Sequence, residues 1–358
     1  MKNICFLAQF PPPIHGLSKA VQTLYDSRLN AKYSFSKIDI TRNSRIFGSI
    51  CKLVSTKADV IYFTISQTRF GNLRDLFFLL LIHIRKKACI IHLHGGYYRT
   101  LVDKDMPKWQ SKLNFKFLSH VDGGIVLGNS LKYIFRGMIP DDKIFVCPNC
   151  VDDSYIAKSI SDKITSTEFS TKLNILYLSN FIPSKGYRKV LELAELFEKN
   201  GKEDKFGFHF AGKFFDEKER EYFFNKKAYL KNVVYHGVVS GDSKTKLLEE
   251  CNIFILLTNY PNEGQPISIL EAMGNGMAII TTDHAGIPEI ADSTNGLVCK
   301  KNDIDLQKVY DYLVECYDNR KKLSSVCVRN YEITKQKYTE GRYIDNMDKI
   351  FETVCREK

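Results

Sequence analysis

The sequence predicts an α/β protein with two doubly wound, Rossmann-like parallel-sheet domains. Short apolar, strand-like runs alternate with helix-like segments along the whole chain, and this alternation favours parallel sheets covered by helices. The 358 residues, 44% of them hydrophobic, exceed the size of one typical core, so two domains are expected. In such sheets ligands bind beyond the carboxyl ends of the strands. Candidate site residues are therefore sought where strands end.

The first domain is predicted over residues 1–160. Its first strand, 4–8, precedes a Pro/Gly turn and a helix over 17–29. Gly16 lies at the start of that helix, where a glycine lets the backbone approach a phosphate closely. The turn lacks the Gly-x-Gly-x-x-Gly fingerprint, and an ordinary strand-to-helix turn is the alternative. Further strands are predicted at 59–65, 88–94, 124–127 and 144–147.

The second domain is predicted over residues 170–340. Residues 152–171 are rich in Ser, Thr, Asp and Lys and are interpreted as a linker. After residue 303 the chain is predicted to be almost wholly helical, and an amphipathic helix over about 341–358 is expected to cross back to the first domain. The strands of this domain are predicted at 174–179, 207–211, 233–236, 252–257, 278–281 and 296–299.

Residues 262–271, Asn-Glu-Gly-Gln-Pro-Ile-Ser-Ile-Leu-Glu, carry the most specific functional pattern. Pro266 is acceptable at the first helical position, so a helix is predicted from near Ile267. Glu263 then lies on the loop and Glu271 just over one turn inside the helix. The free N–H groups at this helix start suit a phosphate, and the two carboxylates suit hydroxyl groups. The alternative is an ordinary capping loop with two solvated glutamates.

Two further loops follow predicted strands. Ser179-Asn180-Phe-Ile-Pro-Ser-Lys185-Gly186 starts the second domain, and Lys185 is a candidate to neutralise a diphosphate. His92-Leu-His94-Gly-Gly ends a strand of the first domain and places His94 at the carboxyl edge of the sheet. A loop lysine is usually solvated, and a histidine there more often donates a hydrogen bond than binds a metal.

Cysteine usage and charge restrict the setting. The ten cysteines are scattered, with Cys147-Pro-Asn-Cys150 as one close pair, and no secretory leader is recognised, so a reducing cytosol is expected. Residues 1–165 hold 24 Lys and Arg against 12 Asp and Glu, whereas the rest holds 28 against 29. This asymmetry indicates an anionic partner for the first half, either nucleic acid or lipid headgroups, and the alternative is that the charge serves solubility.

The apolar run at residues 76–82 is flanked by basic residues, among them Arg85, Lys86 and Lys87. It is too short to span a bilayer. An interfacial helix on an anionic membrane surface and a plain core helix are the two interpretations.

The motifs together resemble the family 4 retaining glycosyltransferases of bacterial polysaccharide synthesis. The features are the glycine turn after the first strand, Ser-Asn-x-x-x-Ser-Lys-Gly at 179–186, and Glu-x7-Glu at 263–271 with Gly-Ile-Pro-Glu at 286–289. The resemblance covers nearly the whole chain. It implies a GT-B fold, in which two Rossmann-like domains face one another across a cleft and the second binds a nucleotide-diphosphate sugar, UDP- or GDP-linked.

The resemblance also implies residue roles. Glu271 would bind the ribose hydroxyls, and Glu263 would bind the donor sugar, with His94 near it. Lys185 and Gly16 would approach the diphosphate. Many members have arginine where this chain has Asn180, and Arg188 and Lys189 are candidates to replace that charge. The remaining donor-binding positions implied are Gly264, Gln265, Pro266 and Ile267.

The implied reaction is a metal-independent hexosyl transfer with retention, without a cofactor. We expect a cytoplasmic enzyme, peripherally bound to the inner face of the membrane, that adds a sugar to a lipid-linked glycan for capsule, O-antigen or exopolysaccharide. The alternatives are a sugar-nucleotide epimerase or phosphorylase on the same scaffold. A basic nucleic-acid-binding protein is the third and less favoured alternative, because the sequence has no recognisable nucleic-acid-binding motif and no stacking platform.

Overall fold

The computed structural model describes residues 1–12, 16–42, 44 and 46–356, which form two compact units. Unit 1 comprises residues 1–150, 262–265 and 340 onward, and unit 2 comprises 151–261 and 266–339. Each unit is built on a six-stranded parallel sheet. The predicted α/β class with two doubly wound sheets is therefore confirmed. Of the predicted Pro/Gly turn, Pro13, Ile14 and His15 lie outside the described residues.

The sheet of unit 1 has the strand order β2-β1-β3-β4-β5-β6. Every neighbouring pair in it is parallel. The chain leaves β1 in one direction to β2 and then crosses to β3, so the order reverses between β1 and β3. The strands are β1 Asn3–Ala8, β2 Ser34–Asp39, β3 Val60–Thr64, β4 Ala88–His92, β5 Gly123–Val126 and β6 Ile144–Val146.

Helices cover both faces of this sheet. One apolar core contains residues of α2, α3 and α5, and another contains residues of α1 and α13. A π-helical turn, Leu101–Asp105, follows α4, and 3-10 turns occupy Arg28–Ala31, Asn129–Phe135 and Asp141–Lys143. The α-helices are α1 Gly16–Tyr25, α2 Ile46–Ser55, α3 Arg69–Ile84, α4 Tyr98–Thr100, α5 Lys108–Leu118 and, at the C-terminus, α13 Glu340–Arg356.

The C-terminal helix α13 packs on the N-terminal sheet, which confirms the predicted return of the chain. Met347 and Phe351 are fully buried with Phe6 and Tyr62 in one core. The ring of Phe351 meets the ring of Tyr62 edge-on, with centroids 6.2 Å apart. The amphipathic pattern of α13 thus buries its apolar face against strands more than 280 residues earlier in the chain.

The sequence does not predict β2. Within Ser34–Asp39, Ile38 is the buried residue and the other five positions are exposed or half-buried. An edge strand with one sheet neighbour needs no continuous apolar run. Its pairing with β1 is visible in the structure and not in the residue pattern.

The sheet of unit 2 has the order β12-β11-β10-β7-β8-β9, and it reverses between β7 and β10. Its 3-10 turns are Asp153–Tyr155, Pro183–Lys185 and Ile287–Glu289. Its strands are β7 Leu173–Leu178, β8 Phe206–Ala211, β9 Val233–Tyr235, β10 Ile253–Leu256, β11 Ala278–Thr282 and β12 Gly296–Cys299. Its helices are α6 Ile160–Phe169, α7 Tyr187–Lys199, α8 Glu217–Lys227, α9 Asp242–Glu250, α10 Ile267–Gly274, α11 Leu306–Asp318 and α12 Arg320–Lys337.

The interpretation of residues 152–171 as a linker is wrong, because α6 occupies half of that segment. Lys163 and Thr167 of α6 are buried. The Lys163 ammonium donates to the carbonyl oxygens of Leu248 and Glu249 at 3.1 and 2.7 Å, near the C-terminus of α9. A cation suits this end of a helix. Lys163 of α6 therefore caps the C-terminus of α9, a contact that the sequence pattern does not show.

Gly186, at the start of α7, is required by the fold. Its φ is +83°, and a methyl group added there would lie 2.2 Å from the carbonyl oxygen of Leu257. Gly186→Ala is therefore expected to lower the free energy of unfolding of unit 2 by about 2–4 kcal/mol, from left-handed strain and steric overlap. Gly201 has φ +63° with open space around it, so Gly201→Ala should cost only about 1 kcal/mol of strain. Equal urea midpoints for the two variants would contradict this.

His209, within strand β8, and His236, directly after the neighbouring strand β9, are expected to make unit 2 sensitive to acid. His209 Nδ1 lies 2.9 Å from His236 Nε2. Burial, followed by His236 and Lys172, lowers the pKa of His209 to about 4, and burial also lowers the pKa of His236. The unfolded chain binds these protons first, so stability is lost as the pH falls from about 6.5 toward about 4.

We expect His209→Gln, which keeps hydrogen-bonding capacity without the charge, to remove on the order of 1–3 kcal/mol of this acid sensitivity. The measurement is urea denaturation of wild type and variant at neutral pH and at a pH between 4 and 5. Identical pH profiles for the two proteins would contradict the role given to this pair.

Candidate active site

The switch point of the unit 2 sheet, between β7 and β10, gathers several predicted site residues. The turn after β7 contains Lys185, and the loop after β10 begins at Leu257. Asn259 N–H donates to the Ser184 carbonyl at 2.8 Å, which ties the two loops together. Open parallel sheets bind ligands at this position. The structure thus places Lys185 where the sequence predicts it.

Glu271 on α10 is buried and ion-paired. Its Oε1 lies 2.6 Å from Lys244 Nζ, and the two side chains are 8% and 16% exposed. Lys244 comes from α9, and its ammonium lies 4.3 Å from the centre of the Tyr155 ring. The Tyr155 hydroxyl accepts the backbone N–H of Gly241 at 3.0 Å. The carboxylate is therefore held in a fixed position by a cation that is itself stacked on an aromatic ring.

Lys244 and Tyr155 are candidate site residues that the sequence did not reveal. They lie 27 and 116 residues before Glu271 in the chain. Lys244 is one of many lysines on polar helices, and no fixed spacing links it to Glu271. Only the packing of α9 beside α10 brings the pair together.

The N-terminus of α10 begins at Ile267, as predicted. Pro266 is the N-cap and not the first helical residue, and no side chain caps the helix. Ile269 N–H bonds back to the Pro266 carbonyl at 3.2 Å. Earlier N–H groups of a helix lack intrahelical acceptors, and the dipole favours an anion near them.

Lys185 is half-buried and lies 5.0 Å from the centre of the Tyr260 ring. The Tyr260 carbonyl accepts from His284 Nε2 at 2.7 Å, which joins the loop after β11 to the same edge. The Lys185 ammonium and the Tyr260 ring thus form a cation–π contact at the switch point.

Asn180 is exposed on the turn after β7. Its predicted substitute Arg188 is not available, because its guanidinium Nη2 binds both Glu219 carboxylate oxygens at 2.7 and 2.8 Å. Arg188 also lies 4.3 Å from the centre of the Tyr222 ring. Its charge therefore serves the contact between α7 and α8, and the assignment of Arg188 to a diphosphate is wrong.

In unit 1, the loop 262–265 packs on the turn that follows β4. A methyl group on Gly264 would lie 2.9 Å from Cα of Gly95 and 3.0 Å from the carbonyl oxygen of His94. Only glycine permits this approach of two backbones. The neighbouring Glu263 is 7% exposed. Two motifs some 170 residues apart in the sequence, Glu263-Gly264 and His94-Gly95, are thereby brought together.

Gln265 fixes this loop through its side chain. Its Oε1 accepts the Asn149 backbone N–H at 2.7 Å, and its Nε2 donates to the Leu127 carbonyl at 3.3 Å. The Asn149 amide in turn donates to the Gln265 carbonyl at 2.9 Å. The side chain of Gln265 is thus a structural clamp of the loop 262–265.

His94 lies above the buried His92, with ring centroids 3.9 Å apart. His92 Nδ1 is 2.6 Å from the Tyr62 hydroxyl. Burial, followed by the neighbouring His94, keeps the pKa of His92 well below its ordinary value. The His92 ring is therefore neutral, and it packs against the ring of His94.

The other predicted positions lie at different places in unit 1. Gly16 is the exposed first residue of α1. The Arg85 guanidinium donates to the Val54 carbonyl of α2, while Lys86 and Lys87 line a cavity at the end of α3. The apolar run 76–82 is divided between core and surface, since Phe78 is buried and Phe77 is 43% exposed.

Two Asp-x-Asp sequences, at 103–105 and 303–305, are engaged in local structure. Asp103 accepts from Arg99 Nε at 2.6 Å, and Asp305 caps α11 through the N–H groups of Gln307 and Lys308. Within the described ranges, no three His, Cys, Asp or Glu side chains are grouped as metal ligands.

Comparisons with known proteins give the fold and the general class of the chain. Residues 160–326 match the family described as Glycosyl transferases group 1. The crystal structure of Anabaena Alr3699/HepE in complex with UDP matches 99% of this chain and 100% of its own, with a TM-score of 0.77 at 13% identity. The fold is GT-B. The family match and the GT-B fold together support a glycosyltransferase.

Two sequence relatives are informative. An N,N′-diacetylbacillosaminyl-diphospho-undecaprenol alpha-1,3-N-acetylgalactosaminyltransferase of Campylobacter jejuni is 30% identical over 128 residues, which are 35% of this chain and 34% of that protein. An uncharacterized glycosyltransferase of Methanocaldococcus jannaschii is 24% identical over 303 residues, 81% of this chain and 74% of its own. The match to the Campylobacter protein thus spans about a third of that protein's length.

The structure also bears on the membrane question. None of the helices in the described ranges combines the length and the apolar composition needed to cross a bilayer.

Proposed function

We propose that this GT-B protein is a retaining, metal-independent hexosyltransferase of family 4. It moves a sugar from a UDP- or GDP-linked donor to a lipid-linked glycan during cell-surface polysaccharide synthesis. The observation that carries the proposal is the buried Glu271 carboxylate, held by Lys244 at 2.6 Å beside the switch point of the unit 2 sheet. A fixed, partly desolvated carboxylate suits the hydroxyl pair of a ribose.

In this proposal unit 2 holds the nucleotide. Glu271 accepts hydrogen bonds from the ribose hydroxyls, and the uncapped N-terminus of α10 at Ile267 receives the diphosphate. Lys185 adds a positive charge, held near Tyr260. Asn180, on the same exposed turn, donates to the diphosphate through its amide. The charge that develops on the departing phosphate is stabilised by these groups.

Unit 1 supplies the groups that act on the transferred sugar. Glu263 and the backbone N–H groups of Gly264 and Gln265 bind its hydroxyls, and the His94 side chain or carbonyl lies beside it. Gly16 offers backbone close to the diphosphate. The leaving phosphate oxygen takes the acceptor proton on the face from which it departs, so the anomeric configuration is retained. This step requires no carboxylate nucleophile.

The proposed acceptor is a lipid-linked glycan bound by the N-terminal domain at the cytoplasmic face of the membrane. The basic excess of residues 1–165 supports an anionic membrane surface as partner. The name of the Campylobacter relative, which contains a diphospho-undecaprenol acceptor, supports the same class of substrate. In this proposal Arg85 orders the junction of α2 and α3, and Lys86 and Lys87 face the headgroups.

A donor screen tests the proposed function. The protein is incubated with UDP-, GDP- and dTDP-sugars, first in a thermal-shift assay and then with a bacterial lipid extract as acceptor. We expect one donor to raise the melting temperature and its sugar to appear in the lipid fraction with retained configuration. Rapid isomerisation of the donor without acceptor, or phosphorolysis of a glycan, would contradict transfer and favour the epimerase or phosphorylase alternative.

A further inference from the structure

A cavity of about 330 Å³ opens in unit 1 at the amino-terminal edge of the sheet. Lys87 lies directly before β4, and Asp122 lies directly before β5. The carboxyl edge, where His94 lies, is the opposite edge of the same sheet. The cavity is therefore separate from the candidate active site, and none of the proposed catalytic roles uses it.

The wall of the cavity is cationic. His83 comes from the end of α3, Lys86 and Lys87 from the turn after it, and His120 from the turn after α5. The rings of His83 and His120 meet edge-on, with centroids 4.7 Å apart. The acid among the described lining residues is Asp122, whose Oδ2 accepts the Cys89 backbone N–H at 2.9 Å. Two lysine ammonium groups against one carboxylate favour an anionic ligand.

The backbone holds Lys86 in an uncommon conformation to form this wall. Lys86 N–H donates to the His83 carbonyl at 3.0 Å, and Lys87 N–H donates to the Ile82 carbonyl at 3.1 Å. This is the Schellman pattern at a helix end, and its left-handed position usually holds glycine. Here that position is Lys86, with φ +51°. A lysine at this left-handed position carries backbone strain that glycine would not, and it places an amine at the cavity.

His120 is oriented for the same purpose. Its Nδ1 lies 2.7 Å from the Lys116 carbonyl oxygen, which can only accept, so Nδ1 carries the proton. With Nδ1 protonated, Nε2 of the neutral ring is an acceptor, which can receive a hydrogen bond from the hydroxyl of a protonated phosphate monoester. The charge of an anion in the cavity is met by the amines of Lys86 and Lys87, after α3.

The outer face of α3 beside this cavity is apolar. Phe77, Leu80 and Ile84 are 43%, 36% and 63% exposed and recur with helical spacing. Ile84 follows His83 directly, so an exposed apolar side chain and a cationic cavity are adjacent. A soluble anion would need only the second feature, whereas a membrane lipid offers a phosphate and an acyl region together.

We infer that this cavity binds the phosphate of an anionic membrane lipid, while Ile84, Leu80 and Phe77 contact the acyl region. The inference deepens the proposed function, on which it rests for its cellular setting, because it names the lipid group that the N-terminal domain recognises. Binding requires neither donor nor acceptor, so it is measured independently of transfer.

The test uses the full chain and phosphatidylcholine vesicles that contain either phosphatidic acid or phosphatidylserine, matched in surface charge. Co-sedimentation should be stronger with phosphatidic acid, whose phosphate is accessible. Lys86→Gly should weaken this binding by about fivefold, the effect of one well-placed cation at a membrane surface. Because glycine relieves the strain at φ +51°, the same variant should melt at a higher temperature, which separates lost binding from lost folding.

The controls decide between the sources of the phosphate. Lys104→Ala, which removes an exposed lysine after α4, should leave vesicle binding unchanged. His120→Gln should abolish the preference for phosphatidic acid, and Ile84→Ser should weaken vesicle binding. Equal binding to both lipids, or equal effects of Lys86→Gly and Lys104→Ala, would overturn the inference. The inference would also be overturned if soluble glycerol phosphate bound as tightly as the vesicles and Ile84→Ser had no effect. The cavity would then be a site for a free anion.

Discussion

Glu271→Ala should weaken the binding of UDP or GDP by about a hundredfold, because the ribose loses two hydrogen bonds to a charged group. Isothermal calorimetry with the free nucleotide measures this loss directly, without a need for the correct sugar or acceptor. Glu217→Ala, which removes an exposed glutamate on α8, is the matched control and should bind like wild type. An unchanged affinity of Glu271→Ala would contradict the assigned role.

The ion pair allows this effect to be separated from a loss of stability. Glu271→Ala leaves the Lys244 ammonium, only 16% exposed, without its partner carboxylate at 2.6 Å. Removing one member of such a pair destabilises a protein by up to about 3–5 kcal/mol. The double variant Glu271→Ala, Lys244→Met should recover stability but not nucleotide affinity. Recovery of both would show that Glu271 acts on folding alone.

Glu263→Ala should have the opposite signature. We expect its turnover to fall by about 10²–10³-fold, because the carboxylate contacts the sugar as charge develops on it. Its affinity for free UDP or GDP should stay within about twofold of wild type, since the ribose and diphosphate contacts lie elsewhere. The comparison is between single-turnover transfer and calorimetry on the same preparation.

Asn262→Ala, one residue earlier on the same loop, is the control for a general disturbance of that loop. It should retain most of the turnover. If Asn262→Ala and Glu263→Ala lost activity equally, the effect would belong to the packing of Gly264 on Gly95 and His94 and not to the carboxylate.

The fold was largely predictable because parallel strands that are buried on both faces appear in the sequence as continuous apolar runs. Ile253–Leu256 and Ala278–Thr282 are wholly buried and agree with the predicted strands to within a residue or two. Where burial is partial the pattern fails, as in β2 with one buried residue. The helix α6 was missed because its buried positions include Lys163 and Thr167, which resemble linker residues.

The arrangement of the candidate site was predictable only where residues close together in the chain form it. Glu263, Pro266 and Glu271 share one segment, so the loop and the start of α10 followed from local chemistry. The ion pair of Lys244 with Glu271 and the hydrogen bond of Gln265 with Asn149 join segments that are far apart in the chain. No sequence spacing predicts such contacts. Arg188 lies near Lys185 in the sequence and was therefore a candidate for the diphosphate. Its sequence position does not reveal the ion pair that it forms with Glu219 on α8.

The most direct test of the central claim is a crystal structure of the protein with UDP or GDP. The account predicts ribose hydroxyls within hydrogen-bond distance of the Glu271 carboxylate, and the diphosphate at the N-terminus of α10 near Lys185. A nucleotide bound elsewhere, with Glu271 still in contact with Lys244 alone, would contradict it.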